Sequence, residues 1–240
     1  MKIKERKLIA VAGSAEDVGT SFVCGLLAAQ YKTHCRGMNT PERGRISLTE
    51  RRRGEESITL AELGKPYFYG ALGFEKRFAI RGFVSYTQLL QNGSVQELNN
   101  TADGINWAVL SPQDAAPDTP ELFRLIYNLP GDNVILDCSG LSDEVKLNVL
   151  AEADRAIVVI DPLPTRLLEA YSFLEDVRLR LPKAELLVNK MNKGVHKNEL
   201  KRFLGGAGFS ELPLYDQSGI YKAEYNCRLP AEFIDNIPLI

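Results

Sequence analysis

Short apolar runs rich in β-branched residues alternate along the chain with amphipathic stretches whose apolar positions recur every three or four residues. That alternation predicts an α/β fold, a doubly wound and mostly parallel sheet with helices on both faces. Residues 8–12 predict the first strand and 21–32 the first helix, and 34–39 reads as a poor second strand. Residues 40–83 mix charge, glycine and aromatics without a sustained period, and read as a partly ordered excursion over the sheet that includes a short hairpin. Order resumes with a helix at 85–91 and a strand over 104–112. Thr119 is expected to cap a helix with Pro120 at its first position, running to Asn128. Residues 133–140 predict a buried strand and turn, 144–152 a helix, 155–162 a strand and 165–180 an amphipathic helix. A strand at 184–190, a short helix at 197–204 and a closing strand at 212–216 complete the pattern. No repeat or low-complexity linker marks a boundary, so residues 1–240 read as one domain with a core of useful size.

Composition narrows the partners. The 29 basic residues nearly balance the 31 acidic ones, for a formal charge of −2, so neither nucleic acid nor an anionic membrane is indicated. Cys24, Cys35, Cys138 and Cys227 form no C-x-x-C pair, and Cys24 and Cys138 lie in apolar runs as small core residues, which suits a reducing compartment. The basic start is followed by too few apolar residues for a signal or a span, so the protein is expected to be cytoplasmic. The tail "LPAEFIDNIPLI" has no basic face and is interrupted by Pro238; it is expected to pack back on the core and not to anchor to a membrane.

Candidate chemistry gathers in four turns, at residues 13–21, 137–140, 161–164 and 189–193, each at the C-terminal end of a predicted strand. In a doubly wound sheet those ends share the edge where ligands bind. His34 and His196 are isolated, which predicts no zinc site, and neither lies in such a turn to support nucleophilic catalysis.

These turns, in this order, resemble those of the MinD/ParA group of P-loop ATPases, which includes TadZ-type localisation proteins. The resemblance covers most of the chain apart from residues about 40–83. The family's first turn reads K-G-G-x-G-K-S/T; the matching residues here are "AEDVGTS", Ala15 to Ser21. Val18, Gly19 and the Ser21 hydroxyl fit, whereas Glu16 and Asp17 stand at glycine positions and Thr20 replaces the signature lysine. The resemblance implies ATP and magnesium as cofactors, held along Ser14, Asp17, Val18, Gly19, Thr20 and Ser21, with Ser21 a metal ligand. It further implies that Asp137 is the strand-ending aspartate that orders the metal and the attacking water, and that Asn189, followed by Lys190, meets the adenine. The family's aspartate at the end of the second strand has its nearest counterpart in Asn39. The segment "LPLYDQSGIYKAEYNCRLP" is similar to the family's late segment, with Asn226 or Cys227 where it has glycine. Family dimers form across the nucleotide face, the loop's first lysine reaching the other subunit; Ala15 occupies that position, so a homodimer needs other contacts.

A working loop of this kind needs amides converging on phosphate oxygens, glycines for close approach and a lysine across the terminal phosphates. Two like charges about 4 Å apart repel by about 4 kcal/mol at an effective dielectric of about 20, so inward-pointing Glu16 and Asp17 would oppose a triphosphate. That is around three decades in affinity. Two arrangements are open. Asp17 can be a built-in anion that accepts the orphan amides of the following helix, worth about 1 kcal/mol. Alternatively both carboxylates face solvent and a weak nucleotide site survives, with Thr20 hydrogen-bonding a phosphate. Asp137 has a second reading as the cap of its turn through Ser139 and Gly140, and Asn189 one as a strand-terminating residue; Asp161, with Pro162 and Pro164, reads as shaping its turn. Arg51, Arg52 and Arg53 are the densest positive cluster, either solvated surface or a contact for a partner or phosphate.

The function expected is that of a MinD/ParA-like protein with a degenerate nucleotide site, a partner-binding or localisation scaffold with weak or no ATP hydrolysis that forms a homodimer. The alternative is an ATP-binding switch ATPase whose nucleotide state controls dimerisation and location. A tyrosine autokinase is disfavoured because the tail has no tyrosine cluster.

Overall fold

The first strand, β1 (Lys7–Gly13), contributes Ile9 and Val11 to one hydrophobic cluster and Ala10 and Ala12 to another. Successive side chains of a strand face opposite ways, so this strand is covered on both faces. The computed structural model describes residues 6–37, 56–79, 82–92, 95, 98, 100–229 and 233–234. After β1 come α1 (Thr20–Gly37), β2 (Ile58–Glu62), α2 (Phe68–Ala71), α3 (Phe74–Arg77), α4 (Tyr86–Asn92), β3 (Thr101–Ala102) and β4 (Ile105–Ala108). The chain continues through α5 (Thr119–Asn128), β5 (Asn133–Asp137), α6 (Asp143–Glu152), β6 (Arg155–Ile160), α7 (Pro164–Arg180), β7 (Glu185–Met191), α8 (Lys197–Phe203), β8 (Ser210–Pro213) and α9 (Gln217–Tyr225).

The strands of the described residues form one sheet in the order β3-β4-β2-β5-β1-β6-β7-β8, with every neighbouring pair parallel except β3 and β4. The doubly wound reading therefore holds. Because β1 lies between β5 and β6, the strand order departs in both directions from it, and the turn after β1 sits where such sheets bind ligands.

Four expectations are corrected. Residues 34–37 are the end of α1 and not a strand, while 38 and 39 lie outside the described residues. The second strand is β2, inside the supposed excursion; all five of its residues are buried and it pairs with both β4 and β5. Its polar residues hid it, yet each has a partner: Thr59 donates its hydroxyl to the Pro130 carbonyl, and Glu62 accepts from the Tyr67 and Phe68 amides. Phe68, Phe74 and Phe78, which follow, pack with Trp107 in the cluster beside α1. No hairpin lies in residues 56–79; among the described residues β3 and β4 form one, turned by Asp103 and Gly104 with φ of 54° and 75°, the paired positive angles of a two-residue hairpin turn. Residues 40–55, with Arg51 to Arg53, and 80–81 lie outside the described residues. Finally, α5 is capped by Asp118 and not Thr119: its carboxylate accepts from the Glu121 amide at 2.9 Å and Glu121 returns the contact, a reciprocal capping box.

Near the end of the chain Phe233 stacks on Tyr215 at 4.3 Å between ring centroids and approaches Phe22, so this part of the tail does return to the core. Among the described residues no helix is long and apolar enough to cross a membrane.

Candidate functional site

The turn after β1 is held from behind. Ser14 donates its amide to the Val159 carbonyl at 2.9 Å, which commits that group to the sheet, and Val18 is fully buried in the cluster beneath α1. Asp17 and Gly19 take left-handed φ of 55° and 94° and turn the chain into the helix. Gly19 is required by close approach as well, since a Cβ there would collide with Asn189 Nδ2. That amide donates to the Val18 carbonyl at 2.9 Å, and Asn189 Oδ1 accepts from the Lys190 amide. Lys190, itself at φ 60°, donates its ammonium to the Asp17 carbonyl at 3.0 Å and pairs with Asp161 at 2.6 Å. Asp161 also accepts from the Leu163 amide, as its turn-shaping reading expects. Three of the four turns are thus sewn together by Asn189, Lys190 and Asp161.

The fourth is joined through hydroxyls. Ser139 donates both its amide and its hydroxyl to Asp137 Oδ1, at 3.0 and 2.5 Å. Its single hydroxyl hydrogen is then used, so the 3.1 Å contact between Ser21 Oγ and Ser139 Oγ has Ser21 as donor. Asp137 Oδ2 is buried without a hydrogen-bond partner. Burial pushes the Asp137 carboxyl above its ordinary value, opposed by hydrogen bonding from Ser139 and Ser21. One oxygen of Asp137 caps the turn through Ser139, as its turn-capping reading expects, while the other is left over. Beside it stands Glu62, in register across β2 and β5. Glu62 is thus the carboxylate that ends β2, while Asn39 lies outside the described residues. Glu62 Oε1 accepts from the Tyr67 and Phe68 amides at 2.6 and 2.5 Å, and burial together with the charge of Asp137 pushes its pKa up to about 8.

In front of these turns lies a cavity of about 370 Å³, lined by Gly19, Thr20, Ser21, Lys65, Ser139 and Lys146 among others. Glu16 and Asp17 also line it and are solvent-exposed. Among the described residues the Asp17 carboxylate makes no hydrogen bond to the α1 amides, so the solvent-facing arrangement, not the built-in anion, is the one adopted. Ser14 and Val18 lie behind the loop and do not line the cavity, nor do Asn189 and Lys190. Lys190 instead borders a separate groove with Asp161, Leu163 and His196.

Sequence reasoning missed Glu62, Lys65 and Lys146. Glu62 ends, and Lys65 follows, a strand hidden by its own polar residues, and Lys146 reads as surface on a helix although it is buried over the Phe173 ring. Among the described residues no three His, Cys, Asp or Glu side chains gather as a metal cluster. A magnesium ion held mainly by phosphate oxygens, water and one hydroxyl needs no such cluster, and the Ser21 hydroxyl with the unpartnered oxygen of buried Asp137 nearby suits that donor set.

No protein-family model matches the sequence, and no curated protein matches it. Solved structures do match in shape. A ParA family ATPase from Chlorobium tepidum TLS superposes with a TM-score of 0.66 at 13% identity, covering 97% of this chain and 96% of that one. MinD from Pyrococcus horikoshii OT3, complexed with Mg-ADP, matches with a TM-score of 0.64 at 10% identity over 95% of this chain and 88% of its own. The MinC:MinD cell division protein complex from Aquifex aeolicus matches with a TM-score of 0.61 at 11% identity, covering 98% of both chains. With its β1–loop–α1 unit at the strand-order switch and full-length superposition on these structures, the chain has the P-loop fold of the ParA and MinD ATPases.

Proposed function

We propose that this protein is a MinD/ParA-like scaffold with a degenerate nucleotide site, which takes a phosphate-bearing ligand weakly, hydrolyses ATP slowly or not at all, and works by binding protein partners. The observation that carries this reading is Thr20: an uncharged side chain, 7% exposed, lines the cavity at the position of the signature lysine, while the loop, the helix start and the cavity itself persist. A hydroxyl supplies a hydrogen bond to a phosphate but none of the charge that offsets its approach.

On this reading Ser21 would bind magnesium through its hydroxyl and Asp137 would orient a water of the ion. When bound, the ion supplies charge neutralisation at the terminal phosphates. Asn189 would meet the base only by leaving the Val18 carbonyl, which makes nucleotide entry costly. The MinD neighbour was solved with a protein partner, MinC, which supports a partner-binding role here. A homodimer in the cytoplasm fits the same reading, held by contacts other than the lysine that Ala15 replaces.

The Ser21–Ser139–Asp137 chain favours a second reading, an ATP-binding switch whose occupancy controls dimerisation. Titration with magnesium and ATP, followed by sizing with and without nucleotide, separates the two. Weak binding with an unchanged dimer supports the scaffold; tight binding that drives dimerisation supports the switch.

A further inference from the structure

Among the described residues three lysines border the loop or its cavity, and two are already committed. Lys146 pairs with Asp143 at 2.9 Å and lies over the Phe173 ring at 5.2 Å. Lys190 pairs with Asp161 and donates to the Asp17 carbonyl. Lys65 is exposed, lines the same cavity as Thr20, and has no ion pair or hydrogen bond among the described residues.

Its place is nonetheless well defined. The turn that carries it leaves β2 with the Leu63 amide bonded to the Asp137 carbonyl at 2.9 Å, and enters α2 with the Tyr67 amide bonded to Glu62 at 2.6 Å. Between those anchors the turn lies directly on the Ser139–Gly140 turn. A Cβ at Gly64 would stand 2.6 Å from the Ser139 carbonyl oxygen, and one at Gly140 would stand 2.8 Å from Lys65 Cβ. Two glycines therefore bring the stem of Lys65 against the Ser139–Gly140 wall of the cavity. Pro66, next in sequence, restricts Lys65 to extended conformations. Such a fixed stem with an uncommitted ammonium suits a group that waits for an anion.

We infer that Lys65 replaces the missing loop lysine: it is the cation that grips the phosphates of a nucleoside di- or triphosphate in this cavity, from the β2–α2 turn and not from the loop. This rests on the reading that the cavity admits phosphates. It also accounts for how a loop bearing Glu16 and Asp17 keeps a ligand, since the cavity lining then carries two lysines against two carboxylates.

The test is calorimetric titration of magnesium-ATP, and separately of inorganic tripolyphosphate, into the wild-type protein and into Lys65→Ala and Lys65→Arg. Because Lys65 is exposed and unpaired, both variants should melt at the wild-type midpoint without ligand. Lys65→Ala should weaken both ligands by about tenfold or more, and Lys65→Arg should restore most of that loss. Equal loss for the base-free tripolyphosphate would place the contact on the phosphates; loss for ATP alone would overturn that assignment. Wild-type binding that survives unchanged in Lys65→Ala would overturn the inference and leave the cavity reading standing. If the wild-type protein bound neither ligand, both would fall.

Discussion

Glu62 and Asp137 end neighbouring parallel strands in register, with 0% and 1% of their surfaces exposed. Two carboxyl groups this deep do not both ionise readily, and Glu62, pushed up to about 8, keeps its proton at neutral pH. The unfolded chain releases that proton near pH 4.5, the ordinary value for this group. Between those limits the folded state binds more protons than the unfolded one, so stability is fully present below the lower limit and falls as pH rises towards the upper. The slope is at most about 1.4 kcal/mol per pH unit. Urea denaturation of the wild-type protein and Glu62→Gln from pH 5 to 8.5 should give a falling midpoint for the former and a flatter one for the latter. Parallel curves would show that Glu62 does not carry the effect.

Asp17→Gly should leave stability unchanged or raise it by up to about 1 kcal/mol, because Asp17 sits at φ 55°, a region that costs most side chains energy and glycine none. The same change removes a negative charge from the cavity lining and should tighten phosphate binding. Had Asp17 capped α1, the variant would lose stability; a denaturation midpoint measured with and without phosphate checks the sign.

What could be read in the chain divides along a physical line. Strands buried on both faces, such as β5 and β6, are continuous apolar runs and were recognisable as such. Strand β2 is equally buried but carries Thr59 and Glu62, whose Oγ1 and Oε1 are partnered by the Pro130 carbonyl and by the Tyr67 and Phe68 amides while Glu62 Oε2 is left unpartnered, an arrangement that no local pattern encodes. The β3–β4 hairpin did leave a local mark in Asp103–Gly104, which went unread because the strands it joins are so short. The loop and Asp137 were legible because the one follows and the other ends a recognisable strand, whereas Asn189 falls inside β7, two residues before its end. Lys65 and Lys146 were not, since they reach the cavity only through the packing of separate turns and helices. Nor could the sequence decide where the Asp17 carboxylate points, a choice set by the left-handed turn and by Lys190 bonding to its carbonyl.

Asn189→Ala removes the bond to Val18 and leaves a buried carbonyl unpaired. It should cost about 1–3 kcal/mol of stability, measured by urea denaturation, with amide exchange accelerated in residues 14–19.

Thr20→Lys returns a cation to the loop. If its loss limits affinity, the variant should bind magnesium-ATP at least about tenfold more tightly than wild type by fluorescent-nucleotide titration, and an unchanged affinity would assign the limit elsewhere.

The most direct test is a single paired measurement on the wild-type protein: calorimetric titration with magnesium-ATP alongside phosphate release under the same conditions. Affinity in the high-micromolar range or weaker, with phosphate release at background, is the expected result. Low-micromolar binding with turnover that Asp137→Ala abolishes would contradict the degenerate-site reading.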